Sequence, residues 1–267
     1  GTRLEIEANV VSALAPHLQN LQRAAEAAKV DPRLIVPSVM ASARAVLNES
    51  QMENGVAVID MGGTTTGVAV FEEGDLQYVG VIPVGGANIT NDLAIGLKTD
   101  PEVAEKVKLA HAVAMVRKDT EGISIKHDGE VLTFSSHEID EIVDARLEEI
   151  FEAIQKELKK AGRAGQLPSG VVLTGGAANM KHMADYAKIA LGLAARIGKP
   201  AGYGGVSDDA EKPEYAAAVG LMLMDSEQTH TAAKHSGIHL GFSTKGAKDG
   251  AKKAGGMLSN FLKRFKT

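Results

Sequence analysis

Residues 55–71, GVAVIDMGGTTTGVAVF, constrain the fold more than any other stretch. Two apolar runs, 56–59 and 67–71, are too short for helices and bounded by turn formers, so they predict a strand, a turn and a second strand. The turn region holds Asp60, Gly62, Gly63, Thr64 and Thr65. Glycines let the backbone bend through φ > 0 and bring N–H groups close to an anion, and threonine hydroxyls add donors, so these residues are candidates to cradle phosphate. Asp60, at the strand end, is placed to hold Mg2+ through water beside it. An ordinary hairpin would use the same residues, and this stretch alone does not separate the two.

A second stretch adds to the first. Residues 171–180, VVLTGGAANM, again run from an apolar strand into Gly175-Gly176, with a helical segment expected over 180–191. Two such turns in one chain suggest two walls of a cleft, as in open α/β sheets that bind nucleotides at strand ends. Gly175, Gly176 and Ala177 lack bulk, so an adenosine could lie flat on the backbone there with Met180 as an apolar neighbour. Close packing of strand on helix selects the same small residues.

With 267 residues, 44% hydrophobic and 24% charged, the chain suits one large or two smaller globular domains. Cysteine is absent, which excludes disulfides and thiol chemistry. No run approaches the roughly eighteen uninterrupted apolar residues of a spanning helix. Aromatics are only 4%, so Ala, Val, Ile and Leu must fill the interior. The net charge of −5 is unevenly spread: residues 245–267 carry seven Lys or Arg and one Asp, a net of +6, and the preceding body stands at −11. An acidic body with a basic end argues against nucleic-acid binding and for a tail that meets an anionic surface.

Along the chain, Leu4, Ile6, Ala8 and Val10 alternate with polar residues as in a half-buried strand. Residues 9–30 predict a helix with Val10, Leu14, Leu18, Leu21, Ala25 and Ala28 along one side, 34–36 a further strand, and Pro37 the start of another apolar segment. Residues 75–83 complete an antiparallel meander with the first two strands. A helix over 90–97, capped by Asn88 or Thr90, precedes one over 103–116 that starts near Pro101. Glu105 and Lys108 share a face of the latter, and spacing alone makes them a solvated salt bridge. Residues 122–134 read as a hairpin about Asp128-Gly129. Residues 135–138 read as a capping box that opens a helix through Lys160, with Ile139, Ile142, Val143, Leu147, Ile150, Ile154 and Leu158 as its buried stripe. After a last helix over 215–223, residues 226–256 shift to His, Lys, Gly, Ser and Thr and predict a flexible linker. His230, His235 and His239 lack the Cys or carboxylate that would complete a zinc set. Wound as a helix, Met257, Leu258, Phe261, Leu262 and Phe265 share one face, flanked by Lys263, Arg264 and Lys266. That is the pattern of an interfacial membrane helix, with a core helix as the alternative.

DMGGTTTGVAVF resembles the second phosphate motif of the superfamily of actin, Hsp70 and sugar kinases, and VVLTGGAANM resembles its adenosine motif. Residues 82–86 (IPVGG), 90–97 (TNDLAIGL), 195–200 (ARIGKP) and 213–221 (PEYAAAVGL) narrow the resemblance to FtsA, the actin-like bacterial cell-division family, over nearly the whole chain. The resemblance implies an α/β, actin-like (ribonuclease H-like) ATPase domain with an inserted α+β subdomain, a flexible tail and a terminal amphipathic helix. Residues 1–54 would be a remnant of the first actin-like half, 55–92 and 169–225 the core sheet subdomain, and 93–168 the insertion. Residues 226–256 would be the linker and 257–267 the membrane-targeting helix. It further implies ATP and Mg2+ as ligands, Glu105 and Lys108 as contacts of ribose and adenine, and self-polymerisation on the cytoplasmic side of the cell membrane at the division site. In that family the insertion docks the C-terminal peptide of the tubulin-like protein FtsZ, and Arg146 matches an arginine of that contact. A surface pair with Asp140, Glu141 or Glu149 is the other reading.

The family also has a first phosphate loop, Asp-x-Gly-Ser/Thr. None precedes Asp60, so the chain is expected to be the C-terminal part of a longer protein. Where the family reads Asp-x-Gly-Gly-Gly-Thr-Thr-Asp, this chain has Thr64 for the third glycine and Gly67 for the final Asp, which implies ATP binding with weak or no hydrolysis. A PilM-like pilus-assembly protein would share the fold and both glycine turns. A sugar kinase or Hsp70-type ATPase would need a catalytic acid and a substrate lobe that the sequence does not offer.

Overall fold

The computed structural model describes residues 10–32, 34–204 and 208–235, together with Arg3 and Glu5. Leu4, Ile6 and Ala8 of the expected first strand lie outside the described residues, as do residues 236–256 of the expected linker and the whole segment 257–267.

In chain order, α1 (Ala15–Ala27), α2 (Ser38–Val46) and α3 (Glu49–Asn54) precede β1 (Val56–Met61), β2 (Thr66–Glu72) and β3 (Asp75–Ile82). Next come α4 (Gly86–Gly96), α5 (Pro101–His111), the hairpin β4 (Gly122–His127) and β5 (Glu130–Ser135), and α6 (Ser136–Lys160). The chain then returns through β6 (Val171–Thr174), α7 (Met183–Leu191), β7 (Ala195–Ile197) and α8 (Ala216–His235). The main sheet has the order β3-β2-β1-β6-β7, antiparallel over the first three strands and parallel from β1 to β7. A parallel neighbour for β1 demands a crossover, and α4 to α6 with the hairpin supply it.

Helices cover both faces of the sheet, which is why β1 is almost uninterruptedly apolar. The period of two sorts its side chains. Val56 and Val58 join Val39, Val46, Ala216 and Val219 of α2 and α8, while Ala57, Ile59 and Met61 join Ile89, Leu147, Ile150 and Ile154 of α4 and α6. The expected stripe of α6 is buried, apart from Ile142, which is half-buried where it presses on Gly96. Phe151 joins that core as well. Ile154 and Leu158 share one core with β1 and β2, so the insertion is continuous with the sheet subdomain.

On the opposite face α2 crosses α8 closely. A Cβ at Gly220 would fall on the carbonyl oxygen of Ala41, which explains the small residues of the last helix. Residues 38–54 pack on this sheet: α2 is buried against it, and Glu53 and Met52 accept backbone hydrogen bonds from Glu73 and Gly74.

Several local expectations are corrected. The helix of 9–30 contracts to Ala15–Ala27 and buries no side chain against the described residues; Val10, Leu14 and Leu21 are exposed. Leu18 alone of its long apolar side chains is half-buried, in a pocket it shares with Ile35, Val36, Leu76 and Val79. Residues 34–36 form no strand. α4 starts at Gly86, four residues before the predicted helix, because the Asn88 side chain accepts the N–H of Gly85 and fixes the first turn there. α5 stops at His111, short of 116. The capping box at 135–138 does not form, for the N-cap Ser135 makes no side-chain cap; the neighbouring Ser136 hydroxyl accepts the N–H of Glu121 and ties the hairpin to the helix. The helix of 180–191 begins only at Met183, after a short 3-10 turn at Gly176–Asn179. Residues 226–235 of the expected linker are helical, continuing α8, where Ala, Glu and Gln favour the helix without an apolar stripe to announce it. The Asp128-Gly129 turn is as expected, with φ of 49° and 85°.

Candidate functional site

Three glycine pairs meet at one edge of the sheet. β1 and β6 run parallel with Asp60 opposite Thr174, so the Gly62-Gly63 and Gly175-Gly176 turns leave adjacent strands at their carboxyl ends. The first turn is closed by the Gly62 N–H, which donates to Thr65 O at 2.9 Å, and Gly63, Thr64 and Thr65 are exposed. Gly85-Gly86, at the start of α4, docks on it: Gly86 N–H donates to Gly62 O at 2.9 Å and Ala87 N–H to Gly63 O at 2.7 Å. These contacts leave no room for side chains. A Cβ at Gly85 would lie 2.6 Å from the oxygens of Gly62 and Gly63, and one at Gly175, where φ is 85°, would lie 2.6 Å from Asp60 Oδ1 and Met61 O.

Asp60 is half-buried and accepts a hydrogen bond from the Ser42 hydroxyl of α2 at 2.8 Å. Burial pushes its pKa above the usual carboxylate value, and the Ser42 bond only partly offsets this. It makes no ion pair among the described residues, so a nearby divalent cation would meet an uncompensated, largely desolvated carboxylate; the donor set fits Mg2+ held through water.

Beyond the loop, a pocket of about 150 Å³ is lined by Gly86, Ile89, Lys108, Gly176, Ala177 and Met180, with Asn179 and Lys181 at its wall. Ala177 faces Gly86 closely, since a Cβ on the glycine would be 3.2 Å from that of Ala177. Gly86 therefore borders both the phosphate-sized turn and the pocket. Lys108 is 14% exposed and donates to Gly86 O at 3.1 Å, to Thr90 Oγ1 at 2.7 Å and to Glu105 at 2.7 Å. The Thr90 hydroxyl donates in turn to Glu105. Burial alone would raise the Glu105 pKa, but the hydrogen bonds from Lys108 and Thr90 outweigh it and hold the carboxyl below its ordinary value. The pair is thus an i,i+3 salt bridge, with Lys108 on the pocket and Glu105 behind it. The turn at 213–215 braces the second glycine loop: Pro213 O accepts from Gly175 N–H and the Thr174 hydroxyl, and Glu214 accepts from Asn179.

The structure therefore brings together Asp60, Gly62, Gly63, Thr64 and Thr65, and beside them Lys108, Gly175, Gly176, Ala177 and Met180. Ser42, Gly86, Ile89 and Asn179 join them unforeseen. The Val-Gly-Gly at 84–86 carried a signal for Gly86; nothing in sequence links Ser42 to Asp60. Arg146 lies elsewhere, on the α4–α6 junction. Its guanidinium forks onto Asp92 at 2.5 and 3.0 Å and reaches Glu149 at 2.6 Å. Asp140 is instead buried against Arg117, which donates through its backbone N–H and its guanidinium. The segment 257–267 lies outside the described residues. Among the described residues there is no cluster of His, Asp or Glu suited to a metal, and no helix long and apolar enough to cross a membrane.

Comparison with known proteins follows the same lines. The family model for cell division protein FtsA matches residues 57–220. The chain is 38% identical over 244 residues to cell division protein FtsA of Bacillus subtilis, covering 90% of this chain and 54% of that protein. It is 33% identical over 227 residues to that of Pseudomonas aeruginosa, covering 84% and 54%, and 35% identical over 272 residues to that of Neisseria meningitidis, covering 99% and 63%. The chain thus spans little more than half the length of these relatives. Among solved structures it is similar to MreB 5 of Spiroplasma citri bound to AMPPNP, at TM-score 0.67 and 18% identity, covering 84% of this chain and 68% of that one. It is also similar to the MamK double helical filament, at TM-score 0.61 and 16% identity, covering 80% and 66%. These likenesses carry the fold, and the family match the lineage: with its actin-like α/β architecture, this chain belongs to the cell division protein FtsA family.

Proposed function

We propose that this chain is the nucleotide-holding and membrane-tethering part of a division actin. ATP would sit with its phosphates on the turn of Gly62, Gly63, Thr64 and Thr65, its adenosine against Gly176, Ala177 and Met180, and Lys108 beside it; Mg2+ would be held by Asp60 through water. The observation that carries this is the side-by-side exit of both glycine turns from β1 and β6, closed from below by Gly86. A solved relative of the same fold carries AMPPNP and another forms a double helical filament, which supports nucleotide-linked polymerisation. The chain's own residues bind and orient in this scheme. A side chain at Gly67 would place its Cβ 2.8 Å from Val39 Cβ, so α2 fills the space where the family's final Asp would project. Without that carboxylate, hydrolysis by this chain would be negligible, and with only one phosphate turn its affinity for ATP would be weak.

The insertion would dock the acidic C-terminal peptide of FtsZ near Arg146, and residues 257–267 would attach the assembly to the inner membrane surface. Each Lys or Arg near an anionic leaflet contributes about 1 kcal/mol, so one anchor binds reversibly. A polymer presenting many anchors gains effective concentration and holds firmly. Co-sedimentation with anionic liposomes, with and without residues 257–267, tests the tether: loss of binding on truncation is expected, and equal binding by both chains contradicts it. A PilM-like role shares the fold, with TM-score 0.59 to the PilM-PilN type IV pilus biogenesis complex at 18% identity, but the family match favours division.

A further inference from the structure

On the other side of the α5–β4 connection from the pocket at Gly86 and Ala177, α6, α7 and residues 114–116 frame a groove of about 820 Å³. Its floor is apolar, with Met115, Val116, Phe151 and Ile189, and Ile189 is 71% exposed. Along α6 the rim runs Asp144, Glu148 and Glu152, then Lys156 and Lys159. The negative half is felt locally: burial, then Asp144 and Glu148, push the Tyr186 phenol up to about 12. In the groove wall Gln155 Oε1 is buried with no donor among the described residues. Glu152 already meets Lys156 at 3.9 Å, which leaves Asp144 and Glu148 at the negative end; with the apolar floor they call for a ligand that is greasy on one side and cationic on the other.

We propose that this groove receives the chain's own residues 257–267 when the protein is off the membrane. The proposal rests on reading that segment as the membrane anchor. Its sequence supplies what the groove lacks: Met257, Leu258, Phe261, Leu262 and Phe265 for the floor, and Lys263, Arg264 and Lys266 for the carboxylates. An eleven-residue helix is about 16 Å long, and the stretch of α6 from Asp144 to Lys159 runs about 22 Å, so the groove holds the whole segment. The residues between His235 and Met257 can extend to roughly 70 Å, far enough to reach any face of a domain of this size. Tethering raises the effective concentration to about the millimolar range, so weak docking suffices. The apolar face used in the groove is the one the bilayer would take, and the two sites compete for it. The groove is also joined to the nucleotide pocket, since Val113 bridges Lys181 and Ala114 N–H donates to Lys181 O at 2.9 Å, between Ala112 on one side and Met115 on the other.

The absence of cysteine makes the test direct. In the full chain, Ile189→Cys with Leu262→Cys should form an intramolecular disulfide on mild oxidation. Vesicles of phosphatidylglycerol and phosphatidylethanolamine should suppress it several-fold. Glu148→Lys with Glu152→Lys, both on the groove rim, should raise vesicle co-sedimentation several-fold at low salt. Cross-linking no greater than for Leu262→Cys paired with Glu49→Cys on α3, a disulfide only between two chains, or charge reversal that leaves vesicle binding unchanged would overturn the proposal. If instead the unaltered chain fails to sediment with vesicles while the cross-link forms, the membrane reading falls and the groove stands.

Discussion

Asp60 of β1 stands opposite Thr174 of β6 in parallel register, and through that pairing a carboxylate and two glycine turns reach the same edge of the sheet. Because burial raises its pKa, the folded chain binds the Asp60 proton more tightly than the unfolded one. Stability from this group therefore falls as pH rises through the window from the ordinary Asp value to the folded one. Asp60→Asn, which cannot ionise, should be more stable than the unaltered chain at neutral pH without Mg2+, by urea denaturation. The same substitution should weaken magnesium-dependent ATP binding by about tenfold or more.

Gly175→Ala should damage both fold and site. Its φ of 85° disfavours a Cβ, and that Cβ would press on Asp60 Oδ1 and Met61 O. Gly220→Ala, at the crossing with Ala41 on the far face, should destabilise comparably, by about 3 kcal/mol, but spare nucleotide binding once folded. Thermal melts with and without ATP separate the two outcomes.

Arg146 and Asp92 form a forked pair with side chains only 23% and 27% exposed. If Arg146 meets an acidic peptide, Asp92 is its competitor. Asp92→Asn should raise affinity for the FtsZ C-terminal peptide, Arg146→Ala should abolish it, and each should alter stability by about 1 kcal/mol or less. Fluorescence anisotropy with a labelled peptide reads this out.

Acid should weaken the α4–α5 junction. Glu105 has a folded pKa below its ordinary 4.5, so its contribution is present above that value and lost as pH falls through the lower, folded one. Glu157 behaves likewise: burial would raise it, but bonds from Lys160 and Tyr78 outweigh this. Glu105→Gln should lower the neutral part of a stability profile and converge with the unaltered chain in acid, so that the acid limb below pH 4.5 flattens.

Periodicity made much of this legible. The runs at 56–59 and 67–71 could only be short buried strands, and the stripe from Ile139 to Leu158 could only be one face of a long helix. Glycine pairs marked the cleft because backbone packs on backbone there, leaving a trace in composition. What stayed hidden depends on long-range partners. Arg146 had three acidic residues near it in sequence, yet Asp92 on α4, 54 positions away, took the fork. Ser42 reaches Asp60 across the α2–sheet interface with no local signature. The apolar side of α1 looked like a core face but none of it is fully buried, since amphipathicity tells which side would be buried and not how completely.

The central claim is that one nucleotide lies between the two glycine turns. Calorimetric titration of Mg·ATP into the full chain and into Gly176→Val tests it most directly. Gly176 lines the pocket and a Cβ there meets only Glu214 at 3.9 Å, so the substitution adds bulk at the pocket wall without a clash. The account predicts weak, magnesium-dependent binding that Gly176→Val removes; equal binding by both chains, or submicromolar affinity in either, would contradict it.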